Sequence, residues 1–166
     1  MLETPAASES QPPIRYYWED LPVGAVLELG QVAVSREEVL AFARQFDPLP
    51  FHLDDAAAAR THFGRVSASG WHTCAMAMRL QVDHFLRYAS CLGSPGLEGV
   101  KWIKPVYPGD TLTARHRVVS SRLLKSRPGV GLIRSHLEAF NQNNEQVLLI
   151  DLYVMFGCRE AAKPGC

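Results

Sequence analysis

The spacing of apolar residues divides the chain into a region of helices and, after about residue 100, a region of strands. One strand comes earlier, because Val26 to Val34 roughly alternates apolar and polar residues. A capping box then begins at Ser35 and opens a helix with one apolar face, made of Val39, Phe42, Ala43 and Phe46. This helix is expected to end at Asp47, because Pro48 disfavours a helical conformation in the residue before it.

Two further helices are predicted before residue 90. Asp54 or Asp55 caps a short alanine-rich helix, and Gly64 is placed to end it with a left-handed residue. A longer helix is predicted from Trp71 to about Tyr88. Its first half is apolar nearly all round, so we expect this helix to be buried on most sides.

β-branched residues and turn signals predict four strands in the second half of the chain. Their predicted bounds are Val100 to Pro105, Thr111 to about Lys125, Val130 to Asn141 and Gln146 to Cys158. A buried helix followed by long, hairpin-linked strands predicts an α+β fold, with an antiparallel sheet curled around one central helix. The bare edge of such a sheet needs a partner strand, so we expect a homodimer or a dimer-based oligomer.

Length and composition agree with a single globular domain. The 166 residues are 47% hydrophobic and 20% charged, which is enough apolar material for one sizeable core. Residues 1–14 are rich in Ser, Glu, Pro and Ala and predict a disordered tail, and residues 160–166 predict a second tail. The folded domain is therefore expected to span residues 15–159.

Charge and cysteine usage narrow the classes of function. Lys and Arg total 17 and Asp and Glu total 17, whereas a nucleic-acid binder normally has a basic excess. No apolar run is long enough to cross a membrane, and no apolar signal segment is found near the N-terminus. No cysteine has the spacing of a Cys-x-x-Cys pair or a zinc site, so we expect free thiols in a reducing cytoplasm for Cys74, Cys91, Cys158 and Cys166.

The segment from Asp47 to His52 carries the first candidate chemistry. Two prolines stiffen it, and it places a carboxylate and an imidazole five residues apart at the end of a helix. Such a pair, when partly desolvated, can act as general base and general acid. The pattern alone also allows a structural interpretation, in which Asp47 caps the loop and His52 fills a gap in the core.

The second candidate is Ser69-Gly70, at the start of the long predicted helix. Unpaired N–H groups at a helix N-terminus bind negative charge, and Gly70 has no side chain to keep a ligand carbonyl away. A donor of this kind stabilises the oxyanion that forms from a thioester carbonyl. The alternative is that Ser69 only caps the helix and Gly70 forms its first turn.

From about Tyr17 to Phe156, the sequence resembles the MaoC-like dehydratases, a family of hot-dog proteins that includes the (R)-specific enoyl-CoA hydratases. Asp47, Pro50 and His52 fall on the Asp, Pro and His of the family signature Gly-Asp-x-Asn-Pro-aliphatic-His. Two further segments match in the same order along the chain: the helix entry Ser67-Ala68-Ser69-Gly70, and the strand and turn Lys104-Pro105-Val106-Tyr107-Pro108-Gly109-Asp110-Thr111.

The resemblance implies a hot-dog fold with Asp47 and His52 as the catalytic pair. It also implies that the Gly70 N–H polarises the thioester carbonyl, with Ser69 and Trp71 beside it in the substrate-binding site. The reaction would be the reversible syn hydration of a trans-2-enoyl thioester, linked to CoA or to a carrier, giving a 3-hydroxyacyl thioester. No metal or redox cofactor is implied.

The sequence also departs from the family's usual residues, both in the signature and at the helix entry. Phe46 stands where the signature has Gly, and Leu49 stands where it has Asn. Ser69 stands at a position that is often His. These changes bear on the rate and the substrate more than on the Asp–His pair itself.

Two alternative functions remain open at this point. Hot-dog thioesterases usually place a carboxylate on the central helix, where this sequence offers only Asp83, near the far end. A non-catalytic subunit that binds acyl thioesters would keep the fold without turnover. In each case the ligand is an acyl thioester. Bulky residues that could line its tunnel, although a stripe of this kind more often forms core, are Trp71, Met76, Met78, Phe85 and Trp102.

Overall fold

The structure is a computed structural model that describes residues 12–160, so most of both predicted tails lies outside the described residues. Two short 3₁₀ turns, Trp18–Asp20 and Leu86–Tyr88, accompany the helices and strands. The helices and strands are, in chain order, β1 (Val26–Ala33), α1 (Arg36–Phe46), α2 (Pro50–Leu53), α3 (Asp55–Ala59), α4 (Gly70–His84), β2 (Gly96–Trp102), β3 (Thr111–Leu123), β4 (Val130–Phe140) and β5 (Gln146–Gly157).

The five strands form one sheet in the order β1-β3-β4-β5-β2, and every neighbouring pair is antiparallel. The helix α4 lies against this sheet and contacts β1, β3, β4 and β5. The α+β prediction of an antiparallel sheet with one central helix is therefore confirmed. The strands β3, β4 and β5 also end within two residues of their predicted bounds.

The core fills the space between α4 and the sheet. The inward face of α4 buries Met76, Ala77 and Leu80 at three- and four-residue spacing. The strands meet this face with alternate residues, because side chains along a strand point in turn to its two sides. On β3 the buried set is Leu112, Ala114, His116 and Val118.

The prediction for the length of the central helix was wrong. The helix ends at His84 instead of continuing to Tyr88, and Phe85 takes a non-helical conformation with φ −138° and ψ −66°. No glycine or proline marks this end in the sequence. The helix ends here because of tertiary packing. The fully buried Phe85 ring packs on the rings of His116 and Phe156, with 4.9 Å and 5.8 Å between ring centroids.

The expectation that α4 is buried on most sides was also wrong. Trp71, Met78 and Val82 lie on one face of the helix and are 59%, 40% and 38% exposed. The sheet covers only one side of α4, so the other side presents a row of apolar side chains. The sequence did not show this, since a helix that is apolar all round usually lies inside a core.

Smaller differences concern the short elements. The strand β2 runs from Gly96 to Trp102 and so begins before its predicted start at Val100. An edge strand tolerates glycine and a β-bulge, which lies here between Leu97 and Gly99. The stiff loop after Asp47 contains the helix α2. The helix α3 ends at Ala59, so Gly64, with φ +72°, lies in the following turn and does not cap it.

Candidate active site

The end of α1 and the short helix α2 fix the positions of Asp47 and His52. Asp47 is the C-cap of α1, and its N–H donates to the Ala43 carbonyl over 2.9 Å. Its own carbonyl accepts the Leu49 N–H over 2.8 Å, which turns the chain into α2. Pro50 opens α2 at a position where a missing N–H breaks no helical hydrogen bond.

The Asp47 and His52 side chains meet at the end of this turn. His52 Nε2 lies 3.4 Å from Asp47 Oδ2, and the two side chains are 7% and 23% exposed. On the other side of the ring, His52 Nδ1 lies 2.8 Å from the Ser67 carbonyl oxygen. A carbonyl oxygen only accepts, so Nδ1 donates this hydrogen bond and carries the ring proton. In the neutral imidazole, the free lone pair is therefore on Nε2, the atom that faces Asp47.

Two aromatic rings flank the imidazole. The Phe51 ring lies edge-on to His52 at 4.5 Å between centroids, and it stacks on the Phe63 ring at 5.2 Å. These rings restrict the access of water to the pair and hold the imidazole in one orientation. A general acid–base pair needs this kind of fixed geometry within reach of the substrate.

The start of α4 supplies a hydrogen-bond donor to the same place. Ser69 is the N-cap, and its Oγ accepts the Trp71 N–H over 3.3 Å. Gly70 is the first residue of the helix, so its N–H has no acceptor within the helix. Within residues 12–160, this N–H makes no hydrogen bond with any other group either. The positive end of the helix dipole adds to the attraction of such a donor for negative charge.

One cavity of about 560 Å³ brings the two candidate segments together. All five residues predicted for the site line it: Asp47, His52, Ser69, Gly70 and Trp71. The apolar part of its wall is formed by Phe51, Phe63, Trp102, Ile103, Pro105 and Val106. The cavity thus combines a carboxylate, an imidazole and a free backbone N–H within a mostly apolar enclosure, as small-molecule sites commonly do.

Two contacts within the site were not predicted from the sequence. The Ser67 carbonyl sets the tautomer of His52, and no side-chain pattern could have shown a backbone contact. Trp102, at the end of β2, forms a wall directly against Gly70, where a β-carbon placed on Gly70 would be 2.6 Å from Trp102 Nε1. The sequence suggested a tunnel or core position for Trp102 but gave no reason to pair it with Gly70.

Two titratable residues of α4 lie away from this cavity. Asp83 pairs with Arg79 at 2.5 Å and with Arg87 at 4.0 Å, and hydrogen bonding to Arg79 lowers the pKa of its carboxyl. His72 is buried against Phe42, with 4.8 Å between ring centroids, and burial lowers the pKa of its imidazole. Among the described residues that line the cavity, Asp47 is the only carboxylate.

Across residues 12–160, no group of three or more His, Cys, Asp or Glu side chains is arranged to hold a metal ion. In the same residues, no helix has the length and apolar character needed to span a bilayer.

Comparison with known proteins connects this geometry to one family. The sequence model of the family described as "MaoC like domain" matches residues 21–137. The structure of a MaoC-like dehydratase from Rhodospirillum rubrum superposes with a TM-score of 0.82 at 37% sequence identity, covering 87% of this chain and 99% of that one.

Two further structures are similar over most of this chain. The R-hydratase PhaJ1 from Pseudomonas aeruginosa superposes with a TM-score of 0.69 at 25% identity, covering 86% of each chain. A protein from Mycobacterium tuberculosis with a double hot-dog fold superposes with a TM-score of 0.75 at 23% identity, over 90% of this chain and 46% of that one. The expected hot-dog fold is thereby confirmed.

Proposed function

The chain belongs to the MaoC-like domain family, and from that premise we propose that it interconverts trans-2-enoyl thioesters and 3-hydroxyacyl thioesters by adding or removing water. The observation that carries this proposal is the convergence of Asp47, His52 and the free Gly70 N–H on one cavity. The acid–base pair and the oxyanion donor are the two parts that such a reaction needs. The hydratase and dehydratase structures among its neighbours support the same reaction class.

In the hydration direction, the thioester carbonyl accepts a hydrogen bond from the Gly70 N–H. A water held by Asp47 and His52 Nε2 forms a bond from its oxygen to C3 of the enoyl group, and its proton passes to Nε2. The electron pair of the C2–C3 double bond moves toward the thioester oxygen, where Gly70 stabilises the developing negative charge. The proton on the pair then moves to C2, so one water is added and both side chains return to their starting states.

The position of the ring proton makes this step possible. Because Ser67 holds the His52 proton on Nδ1, the Nε2 lone pair is available to take a proton from water. Asp47 lies on the Nε2 side, so its carboxylate orients the water and stabilises the imidazolium that forms. The contacts of the two ring nitrogens support these roles for His52 and Asp47.

The test compares the hydration rates of three single variants with the rate of the wild-type protein. We expect Asp47→Asn and His52→Gln each to lower kcat/KM for a short trans-2-enoyl-CoA by about 100-fold or more, the usual contribution of a positioned acid or base. The control is Asp83→Asn, which removes a carboxylate at the far end of α4 and should keep the wild-type rate. Hydration is followed as loss of the ultraviolet absorbance of the enoyl thioester.

Three outcomes would contradict this proposal. Absence of hydration by the wild-type protein over a series of acyl chain lengths would favour a non-catalytic binding subunit. Release of free thiol from saturated acyl-CoA would favour a thioesterase instead. Undiminished hydration in both Asp47→Asn and His52→Gln would place the chemistry on other residues.

We also propose that two copies of the chain pair through β2. This strand lies at the edge of the sheet, with unpaired backbone groups along its outer side. Large apolar side chains are exposed on it and just after it, at Leu97 and Ile103. A second β2 added in register would satisfy the backbone groups and cover these side chains, as a twofold interface requires.

The cytoplasmic location expected from the cysteines stays a prediction.

A further inference from the structure

The indole of Trp102 occupies the space directly over Gly70. A β-carbon on Gly70 would be 2.6 Å from Nε1 and 2.7 Å from Cε2 of this ring, so only glycine leaves room for it. The Trp71 ring contacts the same indole edge-on, with 5.3 Å between centroids and 82° between planes. One helical turn further along α4, Cys74 also lies against Trp102. Three contacts from the first two turns of α4 therefore hold the indole in place.

A second, larger cavity begins one turn further along α4 than the active-site cavity. A groove of about 1130 Å³ runs along the exposed face of α4, lined among others by Ala75, Met78, Val82 and Leu86. Trp71 lines the active-site cavity, whereas Ala75, one turn later on the same face of the helix, lines the groove. Along α4, the two spaces are therefore separated by the single turn between Trp71 and Ala75.

We propose that Trp102, supported by Trp71, closes the end of the acyl-binding site and restricts this protein to short-chain acyl thioesters. The proposal rests on the proposed function, because it places the thioester carbonyl at the Gly70 N–H. An acyl chain that starts at this carbonyl meets the indole within a few carbons. With the Trp102 side chain removed, the chain can continue into the groove along α4.

The apolar faces of the Trp71 and Trp102 indoles determine whether the acyl chain or the pantetheine chain of CoA lies against them. The pantetheine arm of CoA carries amide groups, and a buried amide needs hydrogen-bond partners. The faces of the two indoles offer none, and the groove further along α4 presents Met78, Val82 and Leu86 together with the paired Arg79 and Asp83. An alkyl chain fits both surfaces, because burying each methylene in an apolar site is favourable. The acyl arm is therefore the one that the tryptophans limit.

The first test measures binding, so that it does not depend on turnover. Saturated acyl-CoA thioesters of four to twelve carbons are titrated by calorimetry against wild type and Trp102→Ala. We expect wild-type affinity to stop rising, or to fall, beyond about six carbons. In Trp102→Ala, affinity should continue to rise by about 2- to 4-fold for each added methylene, the factor expected from burial of a CH₂ group.

Two other variants make the comparison specific. Leu123→Ala trims an exposed apolar side chain at the end of β3 and should reproduce the wild-type profile. Trp102→Phe keeps a smaller aromatic ring over Gly70 and should give an intermediate limit. Trp102 is 46% exposed at the end of an edge strand, so its replacement by Ala or by Phe leaves the core between α4 and the sheet intact.

The second test repeats the series with trans-2-enoyl-CoA and measures kcat/KM, where the same shift toward longer chains is expected. A wild-type profile without a chain-length limit, or an identical profile in Trp102→Ala, overturns the role of Trp102 while leaving the hydratase in place. A shifted binding profile without turnover at any length overturns the hydratase and retains the limit. If no acyl-CoA binds to any variant, both proposals fail.

Discussion

The buried pair of Gln81 and His116 makes a quantitative prediction about stability against pH. His116 is fully buried on β3, and its Nδ1 lies 2.9 Å from the side-chain amide of Gln81 on α4. Burial lowers the pKa of its imidazole from 6.5 to about 4. Between these values, the unfolded chain binds a proton that the folded protein does not, so a fall in pH favours unfolding.

The size of this effect follows from the difference between the two pKa values. A gap of about 2.5 units, at 1.36 kcal/mol per unit, predicts that His116 lowers the free energy of unfolding by about 3 kcal/mol as the pH falls from 7 to 4. That is a large part of the stability of an ordinary domain. Most of the loss should appear between pH 6 and pH 4.

The assay is urea unfolding, followed by circular dichroism at several pH values, on wild type and His116→Gln. The variant keeps a polar side chain beside Gln81 but has no imidazole that could bind a proton. Between pH 7 and pH 4, its free energy of unfolding should therefore fall by about 3 kcal/mol less than that of the wild type. The carboxylates and the other histidines, including the buried His72, are present in both proteins. Their contributions to the pH dependence of stability therefore cancel in the comparison. Parallel stability curves for the two proteins would refute the reasoning.

The remaining predictions concern the helix entry and the sheet edge. Gly70→Ala places a β-carbon 2.6 Å from the Trp102 indole, and because contacts with α4 hold that ring in place, we expect the first turn of α4 to shift and to displace the Gly70 N–H. The hydration rate should fall at least about 10-fold, as oxyanion donors are sensitive to position, with little change in Tm; an unaltered rate would argue against Gly70 as the donor. Leu97→Lys should shift the molecular mass in analytical ultracentrifugation from dimer to monomer, and a monomeric wild type would contradict pairing through β2.

Local patterns in the sequence determined most of the framework. The capping box at Ser35, the proline after Asp47 and the alternation along β3 each depend on neighbours in the chain. Periodicity and turn residues therefore predicted α1 and the three long strands within two residues of their bounds. The segments of Asp47, His52 and Gly70 were also recognised from the sequence, because the resemblance to MaoC-like proteins lies in contiguous motifs.

Contacts between distant parts of the chain were decided only by the tertiary structure. Phe85 ends α4 because its ring is packed in the core, with no local signal for a helix end. The Ser67 carbonyl, 15 residues from His52, fixes the ring tautomer through a backbone contact that no side-chain pattern encodes. Trp102 reaches Gly70 from the far edge of the sheet. Sequence periodicity reports which face of an element is apolar, whereas packing decides what that face meets.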